Sequence, residues 1–167
     1  VLLDELDFGH AANALAAYQM DTFTFLDSPW DRYLLGDESA LSDAALAGAK
    51  LFYGEAGCAD CHSGSLLSDM QFHNIGVPQI GPGKGNEEPY DFGRARETGD
   101  ESDLFAFRTP PLRNVAITGP WMHNGAYSSL EAAIWHHLNP QEAVENYDFD
   151  QLSPLVLAED SGDTAVH

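Results

Sequence analysis

The chain has 167 residues, 44% of them hydrophobic, so it is long and apolar enough to bury the core of one domain. Its 27 acidic residues against 7 basic ones give a formal charge of −20, which repels nucleic acid and anionic lipid and excludes both as expected partners. No apolar run approaches the roughly 18 residues of a membrane-spanning helix, so no membrane span is predicted.

Two helices are predicted before the first cysteine. The alanine-rich stretch from Gly9 to Phe25 carries apolar residues at helical spacing, which indicates a first helix. The sequence SPW at positions 28–30 breaks this pattern. Ser42 then suits a helix N-cap, and a second helix is predicted over about residues 43–53. This second helix leads into the cysteines.

After the cysteines the sequence predicts a long ordered loop and then a third helix. Residues 64–112 are rich in Gly, Pro and Asn and show no convincing strand pair. Ser128 and Glu131 are spaced as a capping box, which marks the start of the third helix. Beyond Pro140 the chain is acidic and weakly patterned, and no closing helix is predicted. The pattern is therefore one of helical segments joined by long loops.

The only two cysteines lie in the stretch GCADCHSG, with a histidine directly after the second. CxxC alone also suits a redox disulfide, half of a zinc site or a structural bridge. The chain has no second CxxC for zinc and no βαβ pattern for a thioredoxin-like site. CxxCH is the attachment motif of c-type haem, in which Cys58 and Cys61 would form thioethers with the two vinyl groups and His62 would supply one axial nitrogen. One covalent haem c is predicted.

The basic residues are concentrated where a haem would need them. Six of the seven lie between residues 50 and 113. Haem propionates are anionic, and Arg94, Arg108 and Arg113 can pair with them through bidentate contacts. An ordinary surface arginine is the alternative at each of these three positions.

The second axial ligand has six candidates in the sequence: His73, His123, His136, His137, Met70 and Met122. In the third helix, His137 falls on the same stripe as Leu130 and Ala133, which we expect to be buried, whereas His136 is rotated by about 100°. A buried histidine needs a partner, so iron is the favoured partner of His137. A core histidine bonded to a backbone carbonyl is the alternative, and Met122 is the main rival as the ligand. A second histidine gives a lower reduction potential than a methionine.

Four stretches of the chain occur in the order found in one protein family: LFYGEAGCADCHSG, FHNIGVP, DFGR and FRTPPLRNVAITGPWMHNGAYSSLEAAI. Together they resemble the C-terminal haem domain of the bacterial di-haem cytochrome c peroxidases and of related di-haem proteins that mature a tryptophan-derived quinone cofactor. A further stretch, SPWDRYLLGDESALSDAALAGAKLF, resembles the segment that joins the two haem domains of those proteins. The resemblance covers about residues 10 to 140.

This resemblance implies an all-α, cytochrome c-like helical domain with long ordered loops around one covalent haem. It implies a division into an N-terminal helix and connecting segment (1–41), a haem domain (42–140) and an acidic C-terminal extension that is truncated (141–167). In the family the distal ligand lies fourteen residues after the histidine of the P-[YW]-[FM]-H-[DN]-G motif, and it is Met in the peroxidases and Tyr in the other branch. Counting from His123 gives His137, which departs from both branches. Backbone oxygens of Thr118 and Pro120 match positions that bind calcium in the family.

The functional expectation is a one-electron relay to a second haem that reduces peroxide or oxidises a substrate. The expected partners are a second haem domain or subunit, a small redox donor such as a cytochrome c or cupredoxin, and a second copy of the chain in a homodimer. The expected location is the periplasm or another compartment outside the cytoplasm. Two alternatives stay open: a stand-alone monohaem electron-transfer subunit of a respiratory or multihaem complex, and a domain that is itself a peroxidase.

Overall fold

The structure is a computed structural model and describes residues 6–81 and 83–152. These residues are mostly helical, which is compatible with the cytochrome c-like expectation. No helix among them is both long enough and apolar enough to cross a membrane. The chain divides into two compact units between Lys50 and Leu51.

Local side-chain caps start each of the helices of the first unit. Helix α1, Phe8–Phe23, begins after Asp7, whose carboxylate accepts the His10 backbone N–H at 2.9 Å. Helix α2, Pro29–Leu34, begins at the SPW sequence, because Ser28 caps it and proline suits the first helical position. Helix α3, Asp43–Phe52, is capped by the Ser42 hydroxyl as expected. The two predicted helices are thus confirmed to within two residues at each end.

The described residues of the second unit, 51–81 and 83–152, form short helices joined by loops. Three are α-helical: α4 (Ala95–Thr98), α5 (Leu130–Leu138) and α6 (Pro140–Glu145). Five single turns of 3-10 helix punctuate the loops: Cys58–Asp60, Gly85–Glu87, Glu101–Asp103, Val115–Ile117 and Phe149–Gln151. The expected long ordered loop is therefore built from short turns and few repeating elements.

Two details of this region differ from the sequence expectation. The N-cap of α5 is Ser129, whose hydroxyl accepts the Ala132 N–H at 3.1 Å, so the predicted capping box of Ser128 and Glu131 is wrong by one position. Helix α6 follows α5 directly, because Pro140 lacks the N–H that the first helical position leaves unused. The expected end of the chain without a closing helix lies outside the described residues.

The expectation of no strand pair is also wrong. Strand β1, Phe72–His73, pairs antiparallel with strand β2, Phe107–Arg108. Beside the pair, the Thr109 N–H donates to the Gln71 carbonyl at 2.8 Å and holds the two segments together. Strands of two residues are too short to show the alternation by which a strand is recognised in a sequence.

The buried core of the second unit is small and aromatic. Its buried members among the described residues are Ala126, Tyr127, Ala133, Tyr147 and Leu152. The rings of Tyr127 and Tyr147 meet edge to face, with their centres 5.6 Å apart and their planes at 76°. Trp121 and Met122 pack against this cluster from the loop before α5. The core thus holds one end of α5 against the preceding turn.

Candidate haem site

The CxxCH segment folds as a tight turn. Gly57 takes a left-handed conformation with φ of 67°, which suits glycine, and the single 3-10 turn Cys58–Asp60 follows it. The His62 N–H donates to the Cys58 carbonyl at 2.9 Å, so the histidine is held over the cysteine turn. Both cysteines are half-buried free thiols. Burial raises the pKa of the Cys61 thiol, and the nearby Asp69 and Asp60 raise it further.

The imidazole of His62 is held in one tautomer. Its Nδ1 lies 3.0 Å from the carbonyl oxygen of Leu67. A carbonyl can only accept, so Nδ1 carries the proton and Nε2 keeps its lone pair. Burial lowers the pKa of His62, which favours the neutral ring. A neutral imidazole whose second nitrogen is hydrogen-bonded is the form in which histidine binds a metal.

His137 on α5 is arranged in the same way. Its Nδ1 lies 2.7 Å from the Ala133 carbonyl one turn earlier, so this ring also keeps its lone pair on Nε2. The ring centres of His62 and His137 are 6.3 Å apart, and the ring planes are inclined at 61°. The structure therefore brings together two histidines that are 75 positions apart in the sequence.

This spacing fits a metal held between the two rings. A metal–imidazole bond is about 2 Å long and the nitrogen lies about 1 Å from the ring centre, so two axial imidazoles have centres about 6 Å apart. Each ring can turn about its own metal–nitrogen bond, so the inclination of the planes is also compatible. Ile134 and Leu138 are 51% and 52% exposed and flank His137 on α5, which gives the imidazole an apolar border suited to a porphyrin ring.

The other candidate ligands have other partners. His73 bonds to Asp69 at 2.8 Å. His123 bonds to Asp91 at 3.1 Å and stacks on a phenylalanine ring. Met122 packs against the buried core. None of these three makes a ring contact with His62 in the described part of the chain.

The chain aligns with most of its length to proteins of one family. It is 37% identical over 151 residues to the methylamine utilization protein MauG of Methylorubrum extorquens, covering 90% of this chain and 40% of MauG. It is 36% identical over 169 residues to the cytochrome-c peroxidase IdrP1 of Denitromonas iodatirespirans, covering 87% and 45%. It is 32% identical over 158 residues to the cytochrome c551 peroxidase of Nitrosomonas europaea, covering 92% and 44%.

A solved structure agrees with these alignments. The crystal structure of a MauG-like protein associated with microbial copper homeostasis matches with a TM-score of 0.56 and 36% identity, over 66% of this chain and 34% of that one. The chain belongs to the di-haem cytochrome c peroxidase family. It spans less than half the length of the family members it matches. No family model matches the chain.

Membership of the cytochrome c peroxidase family makes the chain a peroxidase-like haem protein.

The expectation that His137 lies on the buried face of its helix is wrong. His136, not His137, is the fully buried histidine of α5, with 0% exposure, whereas His137 is exposed. The buried face of the helix runs through Ala133 and His136, because it packs on Tyr127 and on the loop at Ile75.

The three arginines predicted to meet propionates occupy different settings. Arg94 pairs with Asp103 at 3.1 Å, so its charge is offset. Arg113 donates from Nε and Nη2 to the Ser65 carbonyl at 2.8 and 2.5 Å, three residues beyond His62. Arg108 is exposed and contacts only a methionine sulfur among its described hydrogen-bond partners, at 3.6 Å. Arg108 is therefore better placed than Arg94 for an anionic group, and the role of Arg113 stays a prediction.

Thr118 and Pro120, the positions matched to calcium, both lie at the surface. The Thr118 hydroxyl lies 3.4 Å from the Val115 carbonyl. Neither residue belongs to a described cluster of potential metal ligands. The calcium expectation stays a prediction.

The sequence analysis missed a polar pair beside the attachment site. Ligand atoms of Cys61, Asp69 and His73 lie within 4.8 Å of one another. The His73 ring hydrogen-bonds to the Asp69 carboxylate, and this bond lowers the pKa of Asp69 from its usual 3.8 to about 2. In the sequence this pair is visible only as an acidic residue and a histidine four positions apart. Such a spacing within a loop is too common to predict a contact without the fold.

Proposed function

We propose that this chain is a one-electron relay domain in which His62 and His137 are the two axial ligands of a single covalent haem c. The observation that carries the proposal is the 6.3 Å spacing of the two imidazoles, each with its Nδ1 committed to a backbone carbonyl. The bound haem would supply a ferric–ferrous couple that takes up and releases one electron. His62 and His137 together would occupy both positions at which the iron could bind peroxide, which favours relay over peroxide cleavage in this domain.

The residues around the site have defined roles in this proposal. Cys58 and Cys61 would hold the porphyrin through thioethers. The Leu67 and Ala133 carbonyls orient the two imidazoles and raise their basicity by accepting the Nδ1 protons. Arg108 would be the propionate partner that this structure favours.

The rest of the assembly follows from the length of the chain. The matched relatives are more than twice as long and their family is di-haem, so we place a second haem in another domain or subunit, where peroxide is reduced or a substrate is oxidised. Thioether attachment takes place outside the cytoplasm, which supports a periplasmic location. The charge of −20 favours a donor with a basic docking face, such as a small cytochrome c or a cupredoxin.

The test is the intact mass and haem count of the native polypeptide, followed by optical and electron paramagnetic resonance spectra of the ferric protein. We expect one covalent haem per copy of this segment and a low-spin signal typical of two histidine ligands. A high-spin ferric signal with ready cyanide binding would contradict the two-histidine site. One haem on a short chain would favour the stand-alone cytochrome, and two haems on a longer chain would favour the peroxidase-type assembly.

A further inference from the structure

We propose that Tyr127 and His136 are positioning residues that aim His137 at the iron, an inference that rests on the His62–His137 site proposed above. His136 is completely buried, and each of its ring nitrogens has one partner. Its Nε2 lies 2.8 Å from the Ile75 carbonyl, and its Nδ1 lies 2.9 Å from the Tyr127 hydroxyl. The carbonyl can only accept, so Nε2 donates to it and the tyrosine hydroxyl donates to Nδ1.

Both partners of His136 sit on segments that are themselves held. Tyr127 exchanges two backbone hydrogen bonds with Trp121, at 2.8 and 3.3 Å, and its ring packs in the core. Ile75 leads into three consecutive buried residues, 77–79. The two hydrogen bonds of His136 thus join α5 to a turn 9 residues away and to a loop 61 residues away.

The coupling to His137 comes from helix geometry. Consecutive residues of an α-helix differ by about 100° in direction, so fixing the direction of His136 also fixes that of His137. A side-chain nitrogen lies about 5–6 Å from the helix axis, so a 20° rotation of α5 would move it by about 2 Å, which is a full metal–ligand bond length. The rings of His136 and His137 have centres 6.2 Å apart, and their planes meet at 79°. The His136 side chain is buried in the core, whereas the His137 ring lies beside the ring of His62.

The chain offers a matched pair of variants to test this role. Tyr127→Phe removes the hydroxyl that donates to His136, whereas Tyr147→Phe removes a buried hydroxyl that donates to the Ala126 carbonyl in the same core. Each variant loses one buried phenolic hydrogen bond, but only the first one loosens His136. Each is made in the full holoprotein, and cyanide binding to the ferric form is titrated, because cyanide competes with His137 for the iron.

We expect Tyr127→Phe to bind cyanide about 5- to 150-fold more tightly than the wild type, because this range corresponds to the loss of one buried hydrogen bond. The ferric form of this variant should also show a larger high-spin fraction. Tyr147→Phe should lower the midpoint of thermal unfolding and leave cyanide affinity unchanged. His136→Leu loses both bonds and should show the largest effect.

Equal cyanide affinities in Tyr127→Phe and Tyr147→Phe, or a wild-type affinity in His136→Leu, would overturn the positioning role and reduce these residues to core stability. His137→Ala separates that failure from the failure of the proposed function. A low-spin signal that persists in His137→Ala would show that His137 is not the ligand. A signal that depends on His137 but not on Tyr127 or His136 would reject the positioning role alone.

Discussion

The two sides of the candidate haem site are built in different ways. On the cysteine side, the two thiols, His62 and the carbonyl that orients it all lie between residues 58 and 67. On the helix side, the direction of His137 depends on Tyr127 and on Ile75, which is 61 residues from His136. The first side is a local motif and the second is a tertiary contact. The difference teaches that haem attachment on the cysteine side should tolerate substitutions elsewhere in the fold. The direction of His137 on the helix side should change with such substitutions.

The largest expected effect comes from removing either histidine. His137→Ala should keep the full complement of covalent haem, because the cysteine side is self-contained, but should turn the ferric protein high-spin. His62→Ala should yield substoichiometric haem, because it removes the ligand that lies next to the two attachment cysteines. Intact mass, haem staining and the ferric spectrum measure both. Equal haem loading in the two variants would show that the sides are not different in this way.

A methionine at the helix side should shift the potential without breaking the site. His137→Met replaces an imidazole by a thioether, which favours ferrous iron, so the reduction potential should rise by on the order of 0.1 V. A potentiometric titration of wild type and variant gives the difference. An unchanged potential would mean that residue 137 does not bind the iron.

A contact between Arg113 and the cysteine side should affect the stability of the fold and not the attachment of haem. The Arg113 guanidinium donates twice to the Ser65 carbonyl, so Arg113→Ala should lower the free energy of unfolding by about 1 kcal/mol, a charged hydrogen bond discounted for exposure. Chemical denaturation of the holoprotein measures this. Arg96→Ala is the control, since it breaks an ion pair with Glu87 whose 3.5 Å separation is longer than either Arg113 hydrogen bond, so it should cost less. A larger loss of unfolding free energy in Arg96→Ala than in Arg113→Ala would contradict the stabilising role given to the Arg113–Ser65 hydrogen bonds.

The smallest effect is expected at Asp69 and is visible through pH. The hydrogen bond from His73 lowers the pKa of Asp69 from 3.8 to about 2 in the folded protein. The ionised carboxylate therefore adds stability above about pH 4, and this contribution is lost as the pH falls towards 2. Unfolding curves of wild type and Asp69→Asn should differ at pH 5 and converge near pH 2. A constant difference across this range would exclude the titration of Asp69 as its source.

The sequence could predict what depends on neighbouring residues. The two predicted helices rest on local patterns, and the structure places them as expected, as α1 and α3. The haem motif is equally local in the sequence and stays a prediction. The burial of His136 could not be predicted, because the helical pattern of α5 does not say which face the loop at Ile75 covers. The β1–β2 pair was missed because each strand offers only two residues to a pattern search. In both cases the deciding contact joins segments more than 30 positions apart.

That strand pair has a consequence for engineering the molecule. The pairing of strands β1 and β2 closes a loop of 33 residues, from 74 to 106. Doubling the length of a closed loop costs only about 0.6 kcal/mol in chain entropy, provided its ends stay fastened. The exposed turn near Asp100 is therefore a graft point at which a reporter, an affinity tag or a fused electron donor can be inserted while the strands keep the stem closed.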